Sequence, residues 1–119
     1  MFSSIILLGD GWHPEETDGT HPFRWMKKEA SFFVKDYRVA GKKHLLITAA
    51  GHSQPEEKRV RLQLYINNKE KGTKIIDGSF CSYAFSFQET GDLRFDFVLD
   101  KAFHVPGDAR ELGIMLRRA

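Results

Sequence analysis

Side chains able to do chemistry crowd into one stretch, Gly9-Asp10-Gly11-Trp12-His13-Pro14-Glu15-Glu16-Thr17-Asp18-Gly19-Thr20-His21-Pro22-Phe23-Arg24-Trp25-Met26. It holds both tryptophans of the chain, two of its five histidines and four acids. Glycine and proline punctuate it, so it reads as a long irregular loop. Loops that carry large aromatic and charged side chains are where recognition usually sits on a rigid scaffold. A sugar ring presents an apolar C–H face and many hydroxyls. Its site therefore wants an indole platform flanked by carboxylates and by a guanidinium that bonds in fork geometry. Trp12 and Trp25 supply the platform, and Glu15, Glu16 and Arg24, with His13 among them, supply the polar clamp. The same residues also have a structural reading, in which Trp25 and Phe23 plug one end of the fold while Arg24 pairs with Glu15 or Glu16. Both roles coexist if one indole is buried and the other exposed.

Other chemistries find less support. His13, Glu16, Asp18 and His21 are metal ligands by type, but no His-x-His pair with a following Glu occurs, and His44, His52 and His104 are scattered. Asp10, Glu15 and Asp18 are candidates for a structural calcium. No metal and no cofactor is expected. Cys81 falls in the apolar phase of its segment, as a small buried hydrophobe would. No serine sits in a nucleophile elbow, and nothing points to paired glycosidic carboxylates. No catalytic residue is assigned, and the chain is expected not to be an enzyme.

The elements that must position these residues show the period of strands. Val60, Leu62, Leu64 and Ile66 alternate with polar neighbours from Arg59 to Ile66, which puts one side on a core and the other in water. Leu93, Phe95, Phe97 and Leu99 repeat the pattern, and Cys81, Tyr83, Phe85 and Phe87 give it a third time. Further strands are expected over Ser4 to Leu8, Ala30 to Lys35, His44 to Ala50 and Leu112 to Arg117. Asn67-Asn68, Lys71-Gly72 and Thr90-Gly91-Asp92 read as turns, Gly107 to Leu112 as no more than a turn, and Gly51 to Lys58 as a mobile connection. Short strands between turn clusters predict an all-β fold: an antiparallel two-sheet sandwich of about seven or eight strands, jelly-roll-like, which also hides the sheet edges. The ten phenylalanines fall mostly in strand phase, so the core should be rich in rings.

Composition bounds the rest. The 119 residues suit a single domain spanning 1–119, and 41% hydrophobic with 29% charged describes a globular chain. One cysteine excludes a disulfide framework. The run Ile5-Ile6-Leu7-Leu8 is far short of a membrane span or a signal segment. The chain reads as soluble and cytoplasmic. Nine basic residues face three acids between Tyr37 and Ile75. They lie in turns and at alternating strand positions, which describes a solvated face rather than a nucleic-acid surface. Arg59, Arg61, Gln63 and Tyr65 on one strand and Arg94 and Asp96 on another form a wet face that cross-strand ion pairs would explain.

Two motifs carry a resemblance. Gly11-Trp12, followed by Glu15 or Glu16 and then Phe23-Arg24-Trp25-Met26, resembles the opening of small β-sandwich domains that accompany glycosyltransferases or methyltransferases in bacterial cell-surface polysaccharide systems. Phe103-His104-Val105-Pro106-Gly107-Asp108-Ala109-Arg110-Glu111-Leu112-Gly113-Ile114 is similar to their ending, where an Asp-x-Arg-x-Leu-Gly turn leads into the last strand. His13 stands where that family would have an aromatic such as tyrosine. The resemblance implies a role in glycan assembly or binding, and it highlights Trp12, Glu15 or Glu16, Arg24, Trp25, Asp108 and Arg110. Physical chemistry gives these residues a second meaning. Asp108 can close an Asx turn, Gly113 can permit close packing, and Arg110 can pair with Glu15 or Glu16 to tie the loop down. The functional expectation is a non-catalytic glycan-recognition or accessory module, its partners an oligosaccharide and a glycosyltransferase. The rival is an interaction domain that docks a partner enzyme or a second copy, with no glycan ligand.

Overall fold

A computed structural model describes residues 6–52 and 59–117. Ten strands occur among the described residues: β1 (Ile6–Leu8), β2 (Glu16–Thr17), β3 (Pro22–Trp25), β4 (Glu29–Tyr37), β5 (Lys43–Ala50), β6 (Val60–Ile66), β7 (Lys69–Ile76), β8 (Cys81–Phe87), β9 (Gly91–Leu99) and β10 (Met115–Arg117). They form two five-stranded sheets, ordered β1-β4-β9-β6-β7 and β2-β3-β10-β5-β8, in which every pairing is antiparallel. The fold is an all-β sandwich.

Without the short strands β1 and β2, the remaining eight pair first with last: β3 with β10, β4 with β9, β5 with β8, and β6 with β7. That is a single antiparallel ribbon, doubled back on itself and rolled, the jelly-roll arrangement. The ribbon doubles back at Asn67-Asn68, a two-residue connection in which both residues have positive φ, 49° and 70°. Asparagine tolerates this left-handed region, and a two-residue turn with both φ positive matches the twist of the strands it joins. Asn67 also ties the turn to β9, its Oδ1 accepting from the Arg94 N–H at 2.8 Å and its own N–H donating to the Arg94 carbonyl at 2.9 Å.

Strand phase follows the sequence. Val60, Leu62, Leu64 and Ile66 are each 1% exposed or less, and Leu93, Phe95, Phe97 and Leu99 are buried beside them. The rings interlock, with Phe32 stacked on Phe95 at 4.5 Å and Phe87 edge-on to Phe95 at 5.7 Å. Three strands depart from expectation. β7 is a lysine-rich edge strand, and Lys71-Gly72 lies inside it at a register shift rather than in a turn. There Lys71 is the extra residue of a bulge. β2 and β3 lie within the stretch expected to be irregular. The strand foreseen over Ser4 to Leu8 is β1, with Ser4 and Ile5 outside the described residues, as is most of the connection foreseen over Gly51 to Lys58. Among the described residues no helix is long and apolar enough to cross a membrane.

Replacing Asn67 with alanine removes two side-chain hydrogen bonds to β9 and leaves a residue less tolerant of positive φ. The expected loss is about 1–2 kcal/mol, read from the urea midpoint. A midpoint equal to that of the parent would show that the turn does not hold the ribbon.

Candidate functional site

The segment leading into β2 is pinned against β4 by two glycines. The Gly9 N–H donates to the Ser31 carbonyl at 2.8 Å, and the Ser31 N–H donates to the Asp10 carbonyl at 3.0 Å. A Cβ on Gly11 would sit 2.0 Å from the Glu29 carbonyl oxygen, and its φ is +95°. Only glycine fits there. This close approach sets Trp12, which bridges to Met26 and donates Nε1–H to the Ser31 carbonyl at 2.7 Å. Its ring meets Phe97 edge-on with centroids 6.4 Å apart.

Trp12 lines a solvent-open cleft of about 380 Å³ between the two sheets. One wall is the inner face of the first sheet, with Ile6, Leu8, Phe32 and Phe97; the other comes from the second sheet, with Leu45, Ile47 and Leu116. Glu15, Arg24 and Arg117 line it as well. Arg24 reaches it because of register. It lies opposite Leu116, which lies opposite Ala49, and Ala49 is wholly buried in the core. Residues directly opposite share a face, so Arg24 projects toward the layer interface. Its Nη1 donates to the His13 carbonyl at 3.0 Å, whereas Glu16, one of the two acids expected to pair with it, goes to Arg110.

The other members of the expected clamp go elsewhere. His13 is 9% exposed, and its Nε2–H donates to the Glu111 carbonyl at 2.7 Å. Since a carbonyl only accepts, Nε2 carries a hydrogen there. Glu16 is engaged by Arg110 Nη1. Trp25, opposite Met115, points to the outer face of the second sheet. There its ring lies 5.2 Å from the His52 ring, which is edge-on to Phe103 at 4.7 Å. Neither tryptophan is sealed in, and neither is fully exposed. Trp12 packs on the core, while Trp25 lies beside His52, whose other ring contact, Phe103, packs on the core. The phase of a four-residue strand depends on its partner, so the sequence alone had no signal for that division.

The closing motif acts as a clasp. Asp108 accepts from the Arg110 N–H at 3.0 Å, an Asx turn, and its carboxylate also takes Arg110 Nε at 3.0 Å and Nη2 at 2.8 Å. Arg110 thus bridges Asp108 to Glu16, joining the two ends of the site. The guanidinium holds the Asp108 carboxyl down at about 2, from a usual 3.8. Asp108 first and Glu16 second push the Arg110 pKa up. A Cβ on Gly113 would lie 2.3 Å from Leu99 Cδ1 and 3.0 Å from the Met26 and Lys27 carbonyl oxygens, so glycine there is a packing requirement. Asp18 caps its own turn by accepting from the Thr20 and His21 N–H groups, each at 2.8 Å, which lowers its pKa. Among the described residues no three His, Cys, Asp or Glu side chains converge as a metal site.

The wet face of the first sheet is held differently than expected. β6 and β9 are neighbours, with Tyr65 opposite Asp96, but Arg94 pairs with Asp96 along its own strand, at 3.0 Å, and stacks over Phe33. The ion pair is therefore not a cross-strand one.

No protein-family model matches the sequence, and a search of curated proteins finds no match. Solved structures do share the fold. A family two carbohydrate esterase from Clostridium thermocellum, in complex with cellohexaose, superposes with TM-score 0.56 at 10% identity over 96% of this chain. An active site mutant of such an esterase gives 0.57 over 98%. In both cases the match covers 30% of the esterase chain. The CBM36-1 domain of a multidomain xylanase from the hindgut metagenome of Trinervitermes trinervoides gives 0.53 at 11% identity, over 98% of both chains. At these identities the likeness is one of fold: a β-sandwich that a carbohydrate-binding module also adopts.

Two outcomes are expected. Gly11→Ala should cost at least about 2 kcal/mol, because both its φ and the Glu29 carbonyl oppose a side chain. A urea midpoint within error of the parent would contradict this. Asp108→Asn should flatten the acid limb of stability. Because the folded pKa lies below the unfolded one, the carboxylate's contribution is complete above about pH 3.8 and disappears as pH falls toward 2. Urea midpoints measured from pH 5 to 2 should converge for the two proteins at the low end.

Proposed function

We propose that the protein is a non-catalytic saccharide-recognition module, and that it serves the assembly of cell-surface polysaccharide beside a glycosyltransferase. The observation that carries the first part is that Trp12, Glu15 and Arg24, remote from one another in residue type, line one solvent-open cleft. An indole edge, a carboxylate and a guanidinium fork are the groups a sugar's hydroxyls and C–H face require. Arg24 spends one N–H on the His13 carbonyl, and a guanidinium carries five donors in a fixed fork. The shared sandwich of a carbohydrate-binding module supports the reading at the level of architecture. The association with polysaccharide assembly rests on the Gly11-Trp12 and Asp108-x-Arg110 motifs alone.

Titration with a panel of mono- and oligosaccharides, followed by tryptophan emission, tests this. At least one sugar should saturate the signal, and Arg24→Lys should weaken it about tenfold or more while leaving the urea midpoint within about 0.5 kcal/mol. Lysine keeps the charge but loses the planar fork. Silence across the panel, or an unchanged affinity in Arg24→Lys, would remove the saccharide from this cleft.

One observation favours the interaction-module reading. The edge strand β1 exposes three successive apolar residues, Ile6 at 59%, Leu7 at 48% and Leu8 at 48%. Such an edge invites pairing with another chain. Sedimentation velocity distinguishes the two: self-association abolished by Leu7→Lys would favour that role.

A further inference from the structure

The cleft is more aliphatic than a bare sugar needs. Besides its charged residues and the rings of Trp12, Phe23, Phe32 and Phe97, it is lined by Ile6, Leu8, Leu45, Leu46, Ile47 and Leu116. Ile6, Leu8 and Leu46 are 59%, 48% and 64% exposed, so water now covers apolar surface that a ligand would dry. At about 380 Å³ the space is at the lower end of ligand pockets, which run from roughly 300 to 1,000 Å³. It has room for one ring and a short chain, not for an extended oligosaccharide. Glu15, Arg24 and Arg117 are its charged members, and the Arg117 guanidinium lies over the Phe80 ring.

Resting on the saccharide reading above, we infer that the ligand is an amphiphile: a sugar that carries an aliphatic chain. The sugar head lies with Trp12, Glu15 and Arg24, and the chain runs along Leu8, Leu45, Ile47 and Leu116 between the sheets. Sugar hydroxyls satisfy the guanidinium donors, and the chain covers half-exposed Leu8 and the partly buried Leu45 and Leu116. Neither part alone matches the whole lining.

Matched pairs of methyl and hexyl glucosides, galactosides and mannosides, with hexanol as the chain alone, test this by isothermal titration calorimetry. In at least one pair the hexyl member should bind tenfold or more tightly than the methyl member, with a more negative heat-capacity change. Leu8→Lys should erase that gain. Leu8 is half exposed on an edge strand, so the variant should fold; Leu46→Lys, on a still more exposed residue, repeats the test on the opposite wall. Equal binding within every pair would overturn the chain while sparing the saccharide reading. Hexanol binding as tightly as the hexyl glycosides would overturn the saccharide head and leave only an apolar site. No binding by any probe would overturn both.

Discussion

The inner face of each sheet is apolar and must be covered by the other, and the two sheets are unequal to that task. β4 and β9 run nine residues each in the first sheet, whereas β3 and β10 supply four and three in the second. Where the layers match, Phe85, Phe97, Leu62 and Leu64 are closed off from water. At the β7/β8 side the closure is completed by Gly72 lying against Phe85 and by the Lys71–Glu89 pair. Beside Leu116 and Arg117 the first sheet's face is left partly uncovered and the cleft opens. Burial stabilises the fold everywhere else and leaves a remainder here.

That remainder is bordered by rigid parts. Gly9 and Gly11 bring the backbone into contact with β4, so Trp12 is set by main-chain hydrogen bonds and not by loop chance. The Asp108–Arg110–Glu16 clasp and the His13–Glu111 bond hold the entry and exit segments together. Residues that pattern reading groups as one polar clamp therefore divide into two jobs. Glu16 and His13 lock the frame, and Glu15 and Arg24 line the opening.

The sequence was informative wherever one face of a strand is wet. Val60 to Ile66 and Leu93 to Leu99 alternate without error, because each strand has core on one side and water on the other. β7 was hidden for the opposite reason. As an edge strand it tolerates Lys69, Lys71 and Lys74, and its bulge at Lys71-Gly72 mimics a turn. β2 and β3 are too short to show any period, and their phase is imposed by β10 from the far end of the chain. That long-range pairing decides that Arg24 faces the layer interface and Trp25 faces away, so the two could not be separated by reading along the chain. The Arg110 tie to the acidic pair was legible as chemistry, and the fold resolves it in favour of Glu16.

The first-with-last pairing also has a consequence for how the molecule assembles. Contacts between β3 and β10 join segments nearly a chain length apart, and closing such a loop directly is entropically slow. Once β6 and β7 have zipped from Asn67, however, β5 and β8 are held near each other, and then β4 and β9 in turn. Each step closes only the short gap left by the one before. On that route the cleft beside Trp12, built by the outermost pair, is the last part of the molecule to acquire its shape.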